Sequence, residues 1–293
     1  MDVQLERAAS DSAPTLMLER AAGHVKGYVA TTAGAMRQNY QAITAGYAQR
    51  QREDNDAKTR SWLHPLLSSI DAHSVLDAGC GVGQMVASLL ELGYDAHGFD
   101  LHENVERWID MGLSADRMVV TDPEHLVLPY ADRSFDAVVS FGVIEHVGTT
   151  DGNATRRLDY TALRQQWVAE LFRVVRVGGS ILLAGPNKGF PIDTAHGLDA
   201  ASNRLERALT RALGASMHRT WGDNFLWSYG DVRRYFGELP HEVTPLSIAA
   251  LLNFSRVPLA MQGMARAYVA HLPAALLGTG FNPWVAALVR RTG

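Results

Sequence analysis

The stretch VLDAGCGVG, from Val75 to Gly83, decides the fold. Two apolar residues run into an acid, Asp77, and then into glycines at Gly79, Gly81 and Gly83. The apolar pair anchors a strand. The small residues after it let a ligand approach the turn and the N-terminus of the following helix, because glycine permits close backbone approach and unusual dihedrals. A dinucleotide fingerprint wants glycines at relative positions one, three and six. Here they fall at one, three and five, and the sixth position is Gln84. Asp77 is a second departure, since an acid beside the turn repels a pyrophosphate and suits a ligand with an ammonium group, met directly or through water. The pattern points to an adenosine-containing ligand that need not be phosphorylated.

Outward from this turn, hydrophobic runs alternate with helix-like stretches between His73 and Pro186. HSVLDA, DAHGFDL, RMVVTD, FDAVVSFG and SILLAGP read as strands, and GQMVASLLELG, NVERWIDMG and RQQWVAELFRVVR as helices. The short runs lack clean polar alternation, which predicts a parallel sheet covered on both faces, a doubly wound α/β core. Asp100 ends the second strand, where a carboxylate can accept both hydroxyls of a ribose. Four regions follow. Residues 1–70 form an N-terminal helical arm or lid, with a polar helix from Met36 to Gln51 and a solvated charged stretch, QREDNDAKTR, after it. Residues 71–186 are the ligand-binding α/β core. Residues 187–240 are an acceptor-binding insertion or cap, with one helix in ASNRLERALTRALG. Residues 241–293 complete the sheet, through an edge strand in HEVTPLS, apolar helical cover from Ser247 to Leu272 and a last strand in NPWVAALVRR.

Composition narrows the function. With 293 residues, 47% hydrophobic and 20% charged, the chain has the make-up of an ordinary soluble protein. A formal charge of −4 gives no polyanion-binding signature, so no nucleic acid is expected as partner. A lone cysteine, Cys80, forbids an internal disulfide and any multi-cysteine metal site. The first residues carry acids and no apolar core of the kind a signal peptide needs, so a cytoplasmic location is the expectation. From Ala267 to Val289 there is no Asp, Glu, Lys or Arg, yet two prolines and two glycines interrupt the stretch. No transmembrane span is expected there, and peripheral contact with lipid or a greasy substrate is left open.

VLDAGCGVG, taken with GFD at 98–100, TDPEHLVLPYADRSFDAVVSFGVIEHVG at 121–148 and LFRVVRVGGSILLAGPN at 171–187, resembles the class I S-adenosylmethionine-dependent methyltransferase family. The resemblance covers roughly Tyr40 to Asn187 and resumes near the C-terminus. It implies a Rossmann-like fold with a seven-stranded, mostly parallel sheet, helices on both faces and an inserted helical and aromatic cap. It also implies S-adenosylmethionine as methyl donor and S-adenosylhomocysteine as product. Carried over residue by residue, Asp77, Gly79, Gly81 and Gly83 hold the methionyl end, Asp100 the ribose, and Leu101 packs beside adenine. Asp122 accepts from the adenine amino group. Pro123 replaces the family's small residue and has no N–H, so an adenine nitrogen would be met by the Glu124 amide. Tyr47 closes over the cofactor carboxylate, or is a surface or core tyrosine. Phe141 borders the sulfonium. Asp136 takes the family position at the start of the fourth strand, with a structural or a functional role.

The acceptor belongs at the C-terminal edge of the sheet. His146, in FGVIEHVG, is the candidate base that takes a proton from an acceptor hydroxyl or amine, against the alternative of a structural histidine. Related RNA-end enzymes bind a divalent ion with an acid three residues before the glutamate of an EH pair. Here that position is Gly142, and no metal is expected. Glu145, Asn187, Asp193 and His196 are candidate acceptor-binding residues. Trp221, Trp227 and Tyr229 are candidates for an apolar lid with Phe225, the alternative being a second small core. The expected reaction is direct methyl transfer to a small molecule, a secondary metabolite or a glycosylated or hydrophobic acceptor, with oxygen ahead of nitrogen. Lipid or carbon methylation, cyclopropane formation and a non-catalytic cofactor-binding scaffold are the alternatives.

Overall fold

The computed structural model describes residues 49, 51–100, 104–121, 126–149, 156–193, 198, 202–213, 215–222, 224–254 and 257–293. Val75, Leu76 and Ala78 are fully buried in β1 (Ser74–Ala78), as a strand covered on both faces requires. The other strands are β2 (Asp95–Asp100), β3 (Met118–Val120), β4 (Phe135–Phe141), β5 (Val175–Pro186), β6 (Ile192–Asp193), β7 (Ser216–Met217), β8 (His241–Pro245) and β9 (Trp284–Arg291). The helices are α1 (His64–Ser69), α2 (Gln84–Glu91), α3 (Val105–Asp110), α4 (Tyr160–Val174), α5 (Arg204–Leu213), α6 (Tyr229–Phe236) and α7 (Leu259–Ala270).

Seven strands make one sheet in the order β3-β2-β1-β4-β5-β9-β8. β1 is parallel to β2, with Val75 opposite Ala96, and parallel to β4, with Val75 opposite Ala137. β2 and β3 are also parallel. β9 runs antiparallel to both β5 and β8, which leaves β8 as the edge strand. The sheet is the mostly parallel, seven-stranded one that the sequence predicts, with strand order reversing between β1 and β4, the place where open α/β sheets bind ligands. β6 and β7 form a separate two-stranded ribbon.

The chain divides into two compact units. One ends at Val139 and takes in Arg173–Gly179; the other comprises Ser140–Phe172 and Ser180–Gly293. Within the first, Asp136 at the head of β4 accepts the backbone N–H groups of His73 and Ser74, both at 2.8 Å, and pairs with Arg176. Burial pushes the Asp136 carboxyl upward, but the two backbone donors and the guanidinium outweigh it and hold the group at about 2. The structural role left open for Asp136 is thus the one it performs. β5 begins at Val175, ahead of the expected Ser180.

Two expectations are corrected. QREDNDAKTR is helical from Gln51 into a π-helical turn at Thr59–Leu63, and is not a free solvated stretch. Asp56 accepts from Ser88 on α2 at 2.7 Å and pairs with Arg60, and Thr59 is wholly buried. Among its described residues, the apolar run from Ser247 to Leu272 is helical over α7, whose N-cap is Pro258, and Val269 is the helix's one buried side chain. It gives less cover than its composition implied.

Candidate functional site

In the first unit the glycine turn is built around β2. Gly79 and Cys80 both donate their N–H groups to the Phe99 carbonyl at 3.0 Å, and Gly81 donates to the Asp100 carboxylate at 2.6 Å. Trp108 on α3 donates its indole N–H to the Gly81 carbonyl at 2.8 Å. Gly83, at φ 82°, caps α2 in the left-handed region. A Cβ there would meet Leu113 at 2.7 Å and Trp108 at 2.9 Å, so only glycine fits. Asp77, Gly79, Gly81, Gly83 and Asp100 are therefore gathered at the C-terminal ends of β1 and β2, as expected from the sequence. Asp77 is buried; desolvation first, and the neighbouring Asp100 charge second, push its carboxyl up to about 8.

Gln51 is a residue that sequence reasoning passed over. Its side-chain amide stands 3.1 Å from where a Gly81 Cβ would be, which places the N-terminal helical run directly against the turn. Spacing carried no signal of this, because the contact joins segments far apart in sequence. Tyr47, Leu101, Asp122 and Glu124, also expected around the cofactor, lie outside the described residues.

In the second unit the segment after β4 is held from beneath by Arg164 of α4. This arginine is fully buried and donates to the carbonyls of Glu145 at 2.9 Å, Val147 at 3.1 Å and Phe225 at 2.6 Å. Gly142, at φ 69°, turns the chain out of β4 and donates its N–H to Ala184 of β5 at 2.7 Å. Phe141 and His146 are half-buried, and Glu145 is fully buried. Gly185 faces both the Glu145 carboxylate and the Trp227 indole nitrogen, which would stand 3.0 Å and 2.6 Å from a Cβ at that position. Glu145 and Trp227 thus meet at Gly185, and His146 follows Glu145 in the chain.

Other acceptor candidates do framework work. The Asn187 amide donates to the carbonyls of Thr279 at 2.9 Å and Asn282 at 2.8 Å, and its oxygen accepts from Gly189. The Tyr229 hydroxyl accepts the Ala286 N–H at 3.0 Å and donates back to the Ala286 carbonyl at 3.1 Å. Phe225, Leu226, Trp227 and Tyr229 are buried, so most of the aromatic segment is the second small core weighed against a lid. Trp221 is the exception, 72% exposed. Asp193 lies buried on β6, and nearby His218, whose ring nitrogen is 3.3 Å from the Lys188 carbonyl, is pushed downward mainly by burial. His196 lies outside the described residues. Among the described residues there is no cluster of three or more potential metal ligands.

The glycine turn, buried Asp77 and Asp100 at the end of β2 stand together, a donor set that S-adenosylmethionine would fit. The family model for the methyltransferase domain matches residues 76–183. Over those residues the chain carries a methyltransferase domain. It is 30% identical over 140 residues to the mitochondrial ubiquinone biosynthesis O-methyltransferase of Dictyostelium discoideum, a match covering 43% of this chain and 39% of that one. It is 32% identical over 154 residues to a probable S-adenosylmethionine-dependent methyltransferase of Mycolicibacterium smegmatis, covering 48% of this chain and 47% of the relative. The chain thus spans less than half the length of these curated relatives. Among solved structures, the complex of the Haloferax volcanii Trm112 methyltransferase activator with a putative methyltransferase is similar at 16% identity, TM-score 0.46, over 85% of this chain and 96% of that one. No helix among the described residues is long and apolar enough to cross a membrane.

Proposed function

We propose that the chain is a methyltransferase that moves the methyl group of S-adenosylmethionine to an oxygen of a small, hydrophobic or glycosylated acceptor. The observation that carries this reading is the junction of Gly81 with Asp100 beside buried Asp77, which joins the turn after β1 to the end of β2. Asp77 is the partner for the cofactor's ammonium group, Asp100 for its ribose, and Gly79, Gly81 and Gly83 keep the backbone open to its methionyl end. When bound, S-adenosylmethionine supplies a methyl group activated on a sulfonium sulfur, and S-adenosylhomocysteine leaves. His146 accepts the proton from the acceptor hydroxyl as the oxygen attacks. No covalent enzyme intermediate is needed, so positioning and exclusion of water carry most of the rate.

The likeness to a relative named as an O-methyltransferase supports oxygen as the receiving atom. The test is transfer of a labelled methyl group from S-adenosylmethionine to candidate metabolites, with mass analysis of the product. Label on oxygen supports the reading in full. Label on nitrogen or carbon overturns the choice of atom, and cofactor binding with no transfer to any acceptor supports a scaffold instead.

A further inference from the structure

Helix α5 turns its polar side into the protein and its leucines out. Glu206, the one acid of the helix, is buried. It accepts the N–H of Asn203 at 2.6 Å and of Arg219 at 2.9 Å, while Asn203 accepts the N–H of Glu206 in return. One turn on, Thr210 accepts the N–H of Met217 on β7 at 3.1 Å. These contacts fix the inward side. Leu205, Leu209 and Leu213 recur every fourth residue on another side and are 66%, 38% and 60% exposed. Arg204, Arg207 and Arg211, at intervals of three and four, form a third, exposed edge. An ordinary surface helix buries its apolar stripe. Here the stripe is outward, a row of arginines flanks it, and no acid of the helix stands outside to oppose an anion.

We propose that α5 is a membrane-docking helix that lies in the headgroup layer of an anionic phospholipid bilayer. The leucines enter the acyl boundary and the arginines meet lipid phosphates. A basic edge beside an apolar stripe on a helix of low overall hydrophobicity is complementary to that surface. At about 1.5 Å per residue the helix is about 15 Å long, far short of a span. The exposed face of α7, with Leu259 and Met264, lacks such a row. Its one charge is Arg266, which donates to the Asn253 carbonyl as Arg207 does to that of Ser202. Docking through α5 requires no methyl transfer and is read without turnover.

The experiment is co-sedimentation of the purified full chain with vesicles of phosphatidylcholine alone and of phosphatidylcholine with about one third phosphatidylglycerol. Binding is expected to the mixed vesicles and to weaken with salt. Each change of Arg204, Arg207 or Arg211 to Gln should lower it about fivefold, and Leu205→Gln with Leu209→Gln by about tenfold or more. Both leucines are exposed, so circular dichroism should show these variants folded. The pair Leu259→Gln with Met264→Gln should bind as the parent does. No binding to either vesicle, equal binding to both, or loss only in the α7 pair would overturn the proposal. Concentration-dependent self-association in light scattering that the Leu205 and Leu209 changes abolish would assign the face to a second copy, and overturn it too.

Discussion

Asp100 helps to keep a proton on Asp77. Burial is the larger cause, but the neighbouring carboxylate adds to it, and the Asp77 carboxyl titrates at about 8. A cationic ligand reverses this balance, because an ammonium beside Asp77 favours its charged form. Binding of S-adenosylmethionine near pH 7 should therefore release close to one proton. Calorimetry in buffers of different ionisation heat measures it directly, and no buffer dependence would remove Asp77 from the ammonium site.

The same shift has a cost in stability. Between the unfolded value of 3.8 and about 8 the folded chain holds a proton that the unfolded chain has lost, so this group makes stability fall as pH rises through that window and level off above it. Asp77→Asn should gain on the parent steadily from pH 4 to 8, by up to about 1.4 kcal/mol for each pH unit, while cofactor affinity drops. Urea midpoints at pH 5 and pH 8 check the trend.

Asp136 works in the opposite direction. Its carboxylate, held at about 2, contributes stability that is present above 3.8 and lost as pH falls through about 2. Asp136→Asn should lose about 2 kcal/mol at neutral pH, with cofactor affinity nearly unchanged. A parent-like unfolding midpoint would show that the His73 and Ser74 amides do not depend on the charge.

His146→Gln should keep cofactor affinity and lose about 10²-fold in kcat, with the neutral limb of the pH–rate profile flattened. An unchanged rate and profile would return His146 to a structural role.

Arg164→Met should destabilise the fold by about 3 kcal/mol or more, because it leaves the buried carbonyls of Glu145 and Phe225, and the part-buried one of Val147, without their shared donor. Arg164→Lys should recover little of this, since a single ammonium cannot reproduce a planar fork. Thermal melts of both variants provide the comparison.

The core strands and the glycine turn were legible because they rest on local rules. Buried parallel strands are short and continuously apolar, and a turn that needs left-handed backbone shows its glycines in the sequence. What escaped reading was long-range. Nothing near Gln51 announces its place against Gly81, and nothing in RQQWVAELF marks Arg164 as the donor beneath the segment after β4. Asn187 and Tyr229 drew attention as polar and aromatic residues in an insertion, and the structure employs both to fasten Asn282 in the turn before β9. The charged run after Gln51 misled by composition, since its charges pair along a helix and with Ser88.

The excursion between β5 and α6 starts and finishes at one point. Lys188 donates its N–H to the Trp227 carbonyl at 2.8 Å, and Asn187 bridges to the same tryptophan. A loop with its ends tied together can change length at small entropic cost, about 0.6 kcal/mol for each doubling. Near the second end Phe225 is still held by Arg164, so that freedom lies on the α5 side of it. Evolution, or a designer, can therefore exchange the stretch that carries β6, α5 and β7 as a cassette while the strands on either side stay as they are.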